Sequence, residues 1–279
     1  MTGSSADADD LVQDTFERAL SRPPSDLQTD PLPWLVRVAL NLSRDQLRRR
    51  KRQAYVGPWL PAPIETEGYS FERAPDVRYS ELESVSMAFL VALEALTPLQ
   101  RAVLVLIDVL GYSVREAALA LDKSESNVKT SHHRARAALA RYDATRVPLD
   151  QARVAQVQLA LSKLMLSLQA GDVVALEEQL SADVRALNDS NGEFFAAQVP
   201  VIGRARVIKF HLKLRRTELP RFALRILNGL PAIVGEYESA GERIAKRLVF
   251  FIALDAEGLI SEVNSTVATR KLAHVPFTF

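Results

Sequence analysis

Apolar residues recur at helical spacing through the first half of the chain and at strand-like spacing through much of the second. Over residues 6–21, Leu11, Val12, Phe16, Ala19 and Leu20 form one stripe. Asp7, Asp9 and Asp10 sit in its first turn and Arg18 near its end, which suits the helix dipole. Pro23 and Pro24 stop that helix, and Pro31 and Pro33 open a longer one. In the longer helix Trp34, Leu35, Val38, Leu42 and Leu47 share a side, while Asn41, Arg44, Asp45 and Arg48 lie off it. A single helix is expected over residues 81–96. Residues 97–142 carry the clearest pattern, three short helices in succession. Pro98 opens the first and Gly111 closes it behind an apolar run at 103–110. Ser113 and Glu116 form a capping box for the second, which buries Val114, Ala117, Ala118 and Leu121. After a turn at Asp122 and Lys123, Ser124 caps the third, with Val128, Ala135 and Leu139 inward.

Beyond residue 142 the periodicity changes. Pro148 starts a helix running to Gln169, with Gly171 just past its end, and Asp172 caps another over 173–180. Strands are expected at 183–188, 194–199, 221–227, 232–238, 244–254 and 259–267, interrupted by a helix at 205–216. The stretch 244–254 is apolar on both faces at its centre and reads as a central strand. Two helices, two strands, a helix and four strands predict an α+β cone, one curved sheet wrapped on helices.

Charge changes the picture more than overall composition does. The net charge is only +1, yet Arg48, Arg49, Arg50, Lys51 and Arg52 are consecutive. Residues 57–86 hold two basic and six acidic side chains, so an acidic connector separates two basic regions. The third helix of the triplet holds Lys129, Arg134, Arg136 and Arg141 with two histidines and one acid. Two helices joined by a tight turn, the second of them basic, make a helix-turn-helix. Ser126, Asn127, Lys129, Thr130 and His133 alternate with the inward positions, as base-reading side chains do, and the later basic residues suit phosphate. The connector, residues 54–80, has prolines and glycines that exclude a long helix. Tyr55, Val56, Trp59, Leu60, Ile64, Tyr69 and Phe71 make it too apolar for a free tether, so it is expected to pack on something. The absence of cysteine excludes disulfides, thiolate metal sites and thiol catalysis. No apolar run reaches membrane-spanning length, and a cytoplasmic protein is the expectation.

Three blocks carry a resemblance to a known family: DADDLVQDTFERAL, PWLVRVALNLSRDQLRRRKR, and LTPLQRAVLVLIDVLGYSVREAALALDKSESNVKTSHHRARAAL. In this order and spacing they resemble regions 2 and 4 of the extracytoplasmic-function (ECF) sigma factors of bacterial RNA polymerase. The stretch PWLPAP at 58–63 resembles the WLPEP motif of the subgroup with a SnoaL-like C-terminal extension. The resemblance implies a multidomain chain, with all-α sigma regions 2 and 4 followed by an α+β SnoaL-like cone. It divides the chain into region 2 at 1–53, a linker at 54–80, a region 4 helix-turn-helix at 81–143 and the SnoaL-like domain at 148–279. Region 2 of the family begins with an apolar helix ahead of the acidic block. Met1 stands almost at that block, so that helix is expected to be missing, leaving Leu11, Phe16 and Trp34 short of a packing partner.

By the same resemblance Leu11, Gln13, Asp14 and Phe16 engage the β′ coiled coil of core polymerase, and the β flap is a further partner. Asn41, Asp45, Arg48 and Arg49 face a melted −10 element. Ser124, Ser126, Asn127, Lys129, Thr130, His133 and Arg134 meet a −35 element in the major groove. Trp59, Leu60, Pro61 and Pro63 form a regulatory linker. In the subgroup the extension acts as a built-in regulator, so no separate anti-sigma factor is required and none is expected here. Two short motifs of the extension differ in this chain. Residues 189–193 read DSNGE where the subgroup has DGGGK, and residues 268–272 stand in place of an NPDKL-like motif. No cofactor, metal or membrane partner is implied. A different reading stays open at this point, that of a helix-turn-helix transcription regulator whose cone senses a ligand or performs catalysis. Asp189, His211 and His274 are the groups such chemistry would draw on, but no pair among them has suggestive spacing, and the expectation is that the protein is not an enzyme.

Overall fold

A computed structural model describes residues 1–23, 31–52, 55–70, 72, 77–214, 220–239 and 241–279, apart from the side chains of Lys51 and Arg52. Pro24, Phe71 and the end of the expected 205–216 helix, with the two basic side chains just named, lie outside what is described. The chain divides into two compact units. One comprises residues 1–54 and 70–147, and the other Tyr55–Tyr69 with Pro148–Phe279.

The first unit is helical. Helix α1 (Ser5–Ser21) is capped by Ser4, whose hydroxyl accepts from the Asp7 amide at 3.2 Å. It packs on α2 (Leu32–Arg52). The expected stripe of α1 is only partly inward. Thr15 is buried and Leu11 and Ala19 are half-buried, whereas Val12, Phe16 and Leu20 are exposed. Residues 81–96 form α3 (Glu81–Ser84), α4 (Met87–Ala92) and a 3-10 turn at Leu93–Ala95 rather than one helix. The break comes from two competing caps. Ser80 accepts from the Glu83 amide and Ser86 from the Phe89 amide, so a new N-terminus starts at Met87.

Helix α5 (Pro98–Leu104) has the capping box Thr97–Gln100 and continues into a π turn at Val105–Val109. Gly111, at φ +71°, reverses the chain. Helix α6 (Val114–Leu121) has the Ser113–Glu116 box, and Asp122 takes the left-handed conformation behind it. Helix α7 (Glu125–Ala138) is capped by Ser124, then Leu139 breaks the helix before α8 (Ala140–Thr145). Two cores form. Leu40 of α2 joins Val103, Leu106, Ala117, Leu121 and Val128, and Tyr79, Phe89, Leu93, Leu104 and Leu139 make the other. Each fully buried Val, Leu or Phe among them contributes about 1.5–3 kcal/mol. Charged groups close the seam. Arg50 pairs with Glu94 at 2.5 Å, and the buried Arg101 pairs with Glu94 at 3.0 Å while donating to the Leu93 carbonyl.

The second unit is the α+β cone. Helix α9 (Gln151–Ala170) is followed by α10 (Val173–Gln179), β1 (Leu180–Asp189), β2 (Val201–Ile202) and α11 (Arg204–Leu214). Then come β3 (Arg221–Leu227), β4 (Leu230–Glu236), β5 (Arg247–Leu254) and β6 (Ile260–Thr266). The sheet order is β2-β1-β6-β5-β4-β3, parallel only between β1 and β6. Val157, Leu161 and Leu164 of α9 and Val207 and Ile208 of α11 pack on Val184, Phe250, Ile252 and Val263 of the sheet. Most elements are shifted by a few residues from expectation, and two differences have a clear cause. Asp150, accepting from the Arg153 amide at 2.7 Å, caps α9, so the helix starts after it and not at Pro148. Residues 194–199 form no strand. Asn191 and Gly192 turn at positive φ, and the Phe195 amide donates to the Arg243 carbonyl instead of to a sheet neighbour.

Residues 55–69 belong to the cone by their contacts. The Thr66 amide donates to the Ile226 carbonyl and Glu65 bridges to Leu227, which adds a short segment to the edge of β3. Asn228 ties in Ile64 through hydrogen bonds in both directions. Leu60, Pro61, Ala62 and Pro63 are buried. The expectation that this apolar stretch needs a packing surface is met within the unit itself.

Candidate nucleic-acid interface

Helix α7 is built to present its N-terminal half. The Ser124 hydroxyl accepts from the Asn127 amide at 3.2 Å, and Val128, Ser131 and Ala135 turn inward. Ser124, Ser126, Asn127, Lys129, Thr130, His133 and Arg134 are all exposed. Ser124, Ser126, Asn127, Thr130 and Arg134, with Thr97 and Gln100, line a groove of about 490 Å³. A concave surface rich in hydroxyl, amide and guanidinium groups can form hydrogen bonds to base edges and phosphates.

On α2, Asn41, Asp45, Arg48 and Arg49 are exposed, with Asn41, Asp45 and Arg48 one helical turn apart on one face. Arg48 pairs with Asp45 at 3.2 Å and Arg44 donates to Asn41 at 3.5 Å. The structure thus brings these residues together. On α1, Gln13 and Asp14 are exposed, Phe16 is 55% exposed, and Leu11 is half-buried.

Sequence reasoning passed over Asp108. It is 2% exposed, in the π turn that extends α5. Its Oδ1 accepts from Arg136 at 2.6 Å, and its Oδ2 from His132 at 2.9 Å and Arg136 Nε at 3.2 Å. Burial pushes this carboxyl up, but the hydrogen bonds from His132 and Arg136 outweigh it and hold the group below the usual carboxylate range. The available signal was a lone acid inside the apolar run 103–110. A second network surrounds Tyr79, whose hydroxyl lies 3.0 Å from Asp143 and whose burial pushes it up to about 12. Arg146 pairs with Glu83 at 2.6 Å and lies over the Tyr79 ring.

In the cone, the linker residues surround Asp189, which is fully buried. Tyr55 donates its hydroxyl to Asp189, and the Leu60 amide donates to the same carboxylate at 2.7 Å. Lys271 donates to both Asp189 and the Leu60 carbonyl. Its ammonium lies 4.5 Å from the centre of the Trp59 ring and 4.9 Å from that of Tyr55. The Gly192 turn, at φ +75°, packs on Val56, whose side chain would lie 3.1 Å from an added Cβ. The residues in place of the two subgroup motifs therefore converge on Trp59 and Leu60. Asp189 does not reach His211 in this arrangement. His211 stacks edge-on against Phe250, and burial lowers its pKa below the usual value. Among the described residues no cluster of histidines and carboxylates could hold a metal ion, and no helix is long and apolar enough to cross a membrane.

Comparison with known proteins fits this geometry. Residues 1–53 match the family model for sigma-70 region 2, and residues 86–139 the model for sigma-70 region 4. The ECF RNA polymerase sigma factor SigJ of Mycobacterium tuberculosis is 33% identical over 216 residues, covering 77% of this chain and 67% of SigJ. The ECF sigma factor SigG of the same organism is 37% identical over 161 residues, covering 50% of this chain and 42% of SigG. The crystal structure of M. tuberculosis SigJ superposes with a TM-score of 0.72 at 28% identity, covering 99% of this chain and 93% of that one. The chain belongs to the ECF sigma factors of RNA polymerase, in the subgroup that carries a SnoaL-like C-terminal domain.

Proposed function

We propose that this chain directs core RNA polymerase to promoters by two separate reading faces. Ser124, Ser126, Asn127, Lys129, Thr130, His133 and Arg134 on α7 read a −35 element in the major groove. Asn41, Asp45, Arg48 and Arg49 on α2 meet the −10 element as a melted strand, where unstacked bases offer both edges and faces. Leu11, Gln13, Asp14 and Phe16 dock α1 on the β′ coiled coil. The observation that carries the reading is the groove along α7, where polar and basic side chains are presented together on a capped helix. A regulator that acts without polymerase would have no use for the α2 face, and the presence of both sigma regions in order on one chain speaks against it.

The same proposal makes the cone the regulator, acting through the linker without a separate anti-sigma factor. Its support is the hold of Asp189 and Lys271 on Leu60. The test is transcription from a promoter template with purified core. Lys129→Ala and Arg134→Ala each lower −35-dependent initiation about tenfold at low salt, and less at high salt, where a phosphate contact is worth less. Parent-level initiation by both variants across a salt series rejects α7 as the reader.

A further inference from the structure

Arg136 lies on the basic helix α7, where charge alone would assign it to DNA phosphate. Its contacts say otherwise. Both its Nη2 and Nε are spent on the Asp108 carboxylate, and His132, one turn earlier on the same face, binds that carboxylate too. Asp108 is held from behind, since its own carbonyl accepts the Arg78 and Tyr79 amides at 2.9 and 3.0 Å. A two-point guanidinium–carboxylate fork fixes orientation as well as distance. The apolar positions of α7 are Val128 and Ala135, with Leu139 just past its end; all three are buried, and the polar fork adds a directional contact to that packing.

We propose that Asp108 is a positioning residue for promoter reading: through His132 and Arg136 it sets the rotation of α7 and removes Arg136 from the phosphate-binding set. This rests on α7 being the −35 reader. The groups that meet DNA are then Lys129 and Arg134, while Arg136 and His132 face the protein. Asp108 gains no contact with DNA.

The experiment uses the full chain bound to core polymerase. Promoter binding is measured over a salt series on templates with intact and scrambled −35 elements. Hydrogen–deuterium exchange of the chain is followed in parallel over residues 125–138. Arg134→Ala lowers the salt slope by about one. Arg136→Ala leaves the slope at the parent value yet cuts discrimination between the two templates about tenfold. Asp108→Asn cuts discrimination equally, with a slope unchanged or steeper by up to about one because Arg136 is released. Both variants raise exchange over residues 125–138 about tenfold, and Arg136→Lys, which keeps the charge without the fork, restores only part of the protection. A fall in slope for Arg136→Ala matching that for Arg134→Ala overturns the proposal, as does unchanged exchange. Should Asp108→Asn fail to fold, the Arg136→Ala and Arg136→Lys pair decides it. If Arg134→Ala and Lys129→Ala both match the parent, the reader assignment is what has failed, and the exchange data judge the clamp alone.

Discussion

Asp108 and Asp189 are both buried carboxylates, yet Arg136 keeps 45% of its side chain in water while Lys271 keeps only 8%. The first pair buries its carboxylate but leaves its cation half in water. The second is enclosed on both sides and further roofed by Trp59 and Tyr55. Partial exposure makes an ion pair weak and adjustable, because solvent screens it. Full enclosure makes it costly to break, because the survivor is left as an unpaired buried charge. One carboxylate is therefore suited to orienting a helix, and the other to fastening a segment.

Three measurements sharpen or break this contrast. The largest effect belongs to Asp189→Ala, which removes the counter-charge of the buried Lys271 ammonium. Unfolding of the cone in urea should lose about 3–5 kcal/mol, and residues 55–63 should lose protection from hydrogen exchange. A parent-like midpoint with those residues still protected would remove the fastening role. A smaller effect is expected when both charges go together. Asp189→Leu combined with Lys271→Met should unfold within about 1 kcal/mol of the parent. Protection of the Leu60 amide should fall all the same, because its acceptor is gone. A stability loss equal to that of the single variant would mean that the pair itself stabilises the cone.

The smallest effect is the pH dependence at Asp108. Its native pKa lies below the unfolded value of about 3.9, so its contribution is present above that value and is lost as pH falls through the native one. Urea midpoints of the helical unit for the parent and Asp108→Asn should differ at pH 6 and converge as pH drops below about 4. A constant gap down to pH 3 would show that ionisation of Asp108 contributes nothing.

Local features of the fold were legible because their causes are local. The Ser113–Glu116 box, the cap at Ser124 and the turn at Gly171 each involve residues within four positions of one another. The exposed face of α7 followed from the inward spacing of Val128 and Ala135. The break within 81–96 is also local, but Ser86 reads equally as a helix interior residue or a cap until Phe89 is placed in a core. The stripe on α1 failed because apolar spacing says that a face exists, not that this chain covers it. The two clamps were out of reach for a different reason. Asp108 meets Arg136 across 28 positions, and Asp189 meets Lys271 across 82. Neither distance leaves a periodic trace, and a buried aspartate looks in sequence like any surface one.

The pairing of residues 64–66 with the end of β3 has a consequence for genetics. The cone is a discontinuous domain, written in two pieces of the gene with the helix-turn-helix between them. A stop codon after residue 147 would delete only the second piece. It would strip Thr66 and Glu65 of Ile226 and Leu227, and turn Leu60, Pro61, Ala62 and Pro63 out into water. Such a truncation produces a chain with a newly exposed apolar connector, not an unregulated parent. Point substitutions at Asp189 or Lys271 are the cleaner instrument.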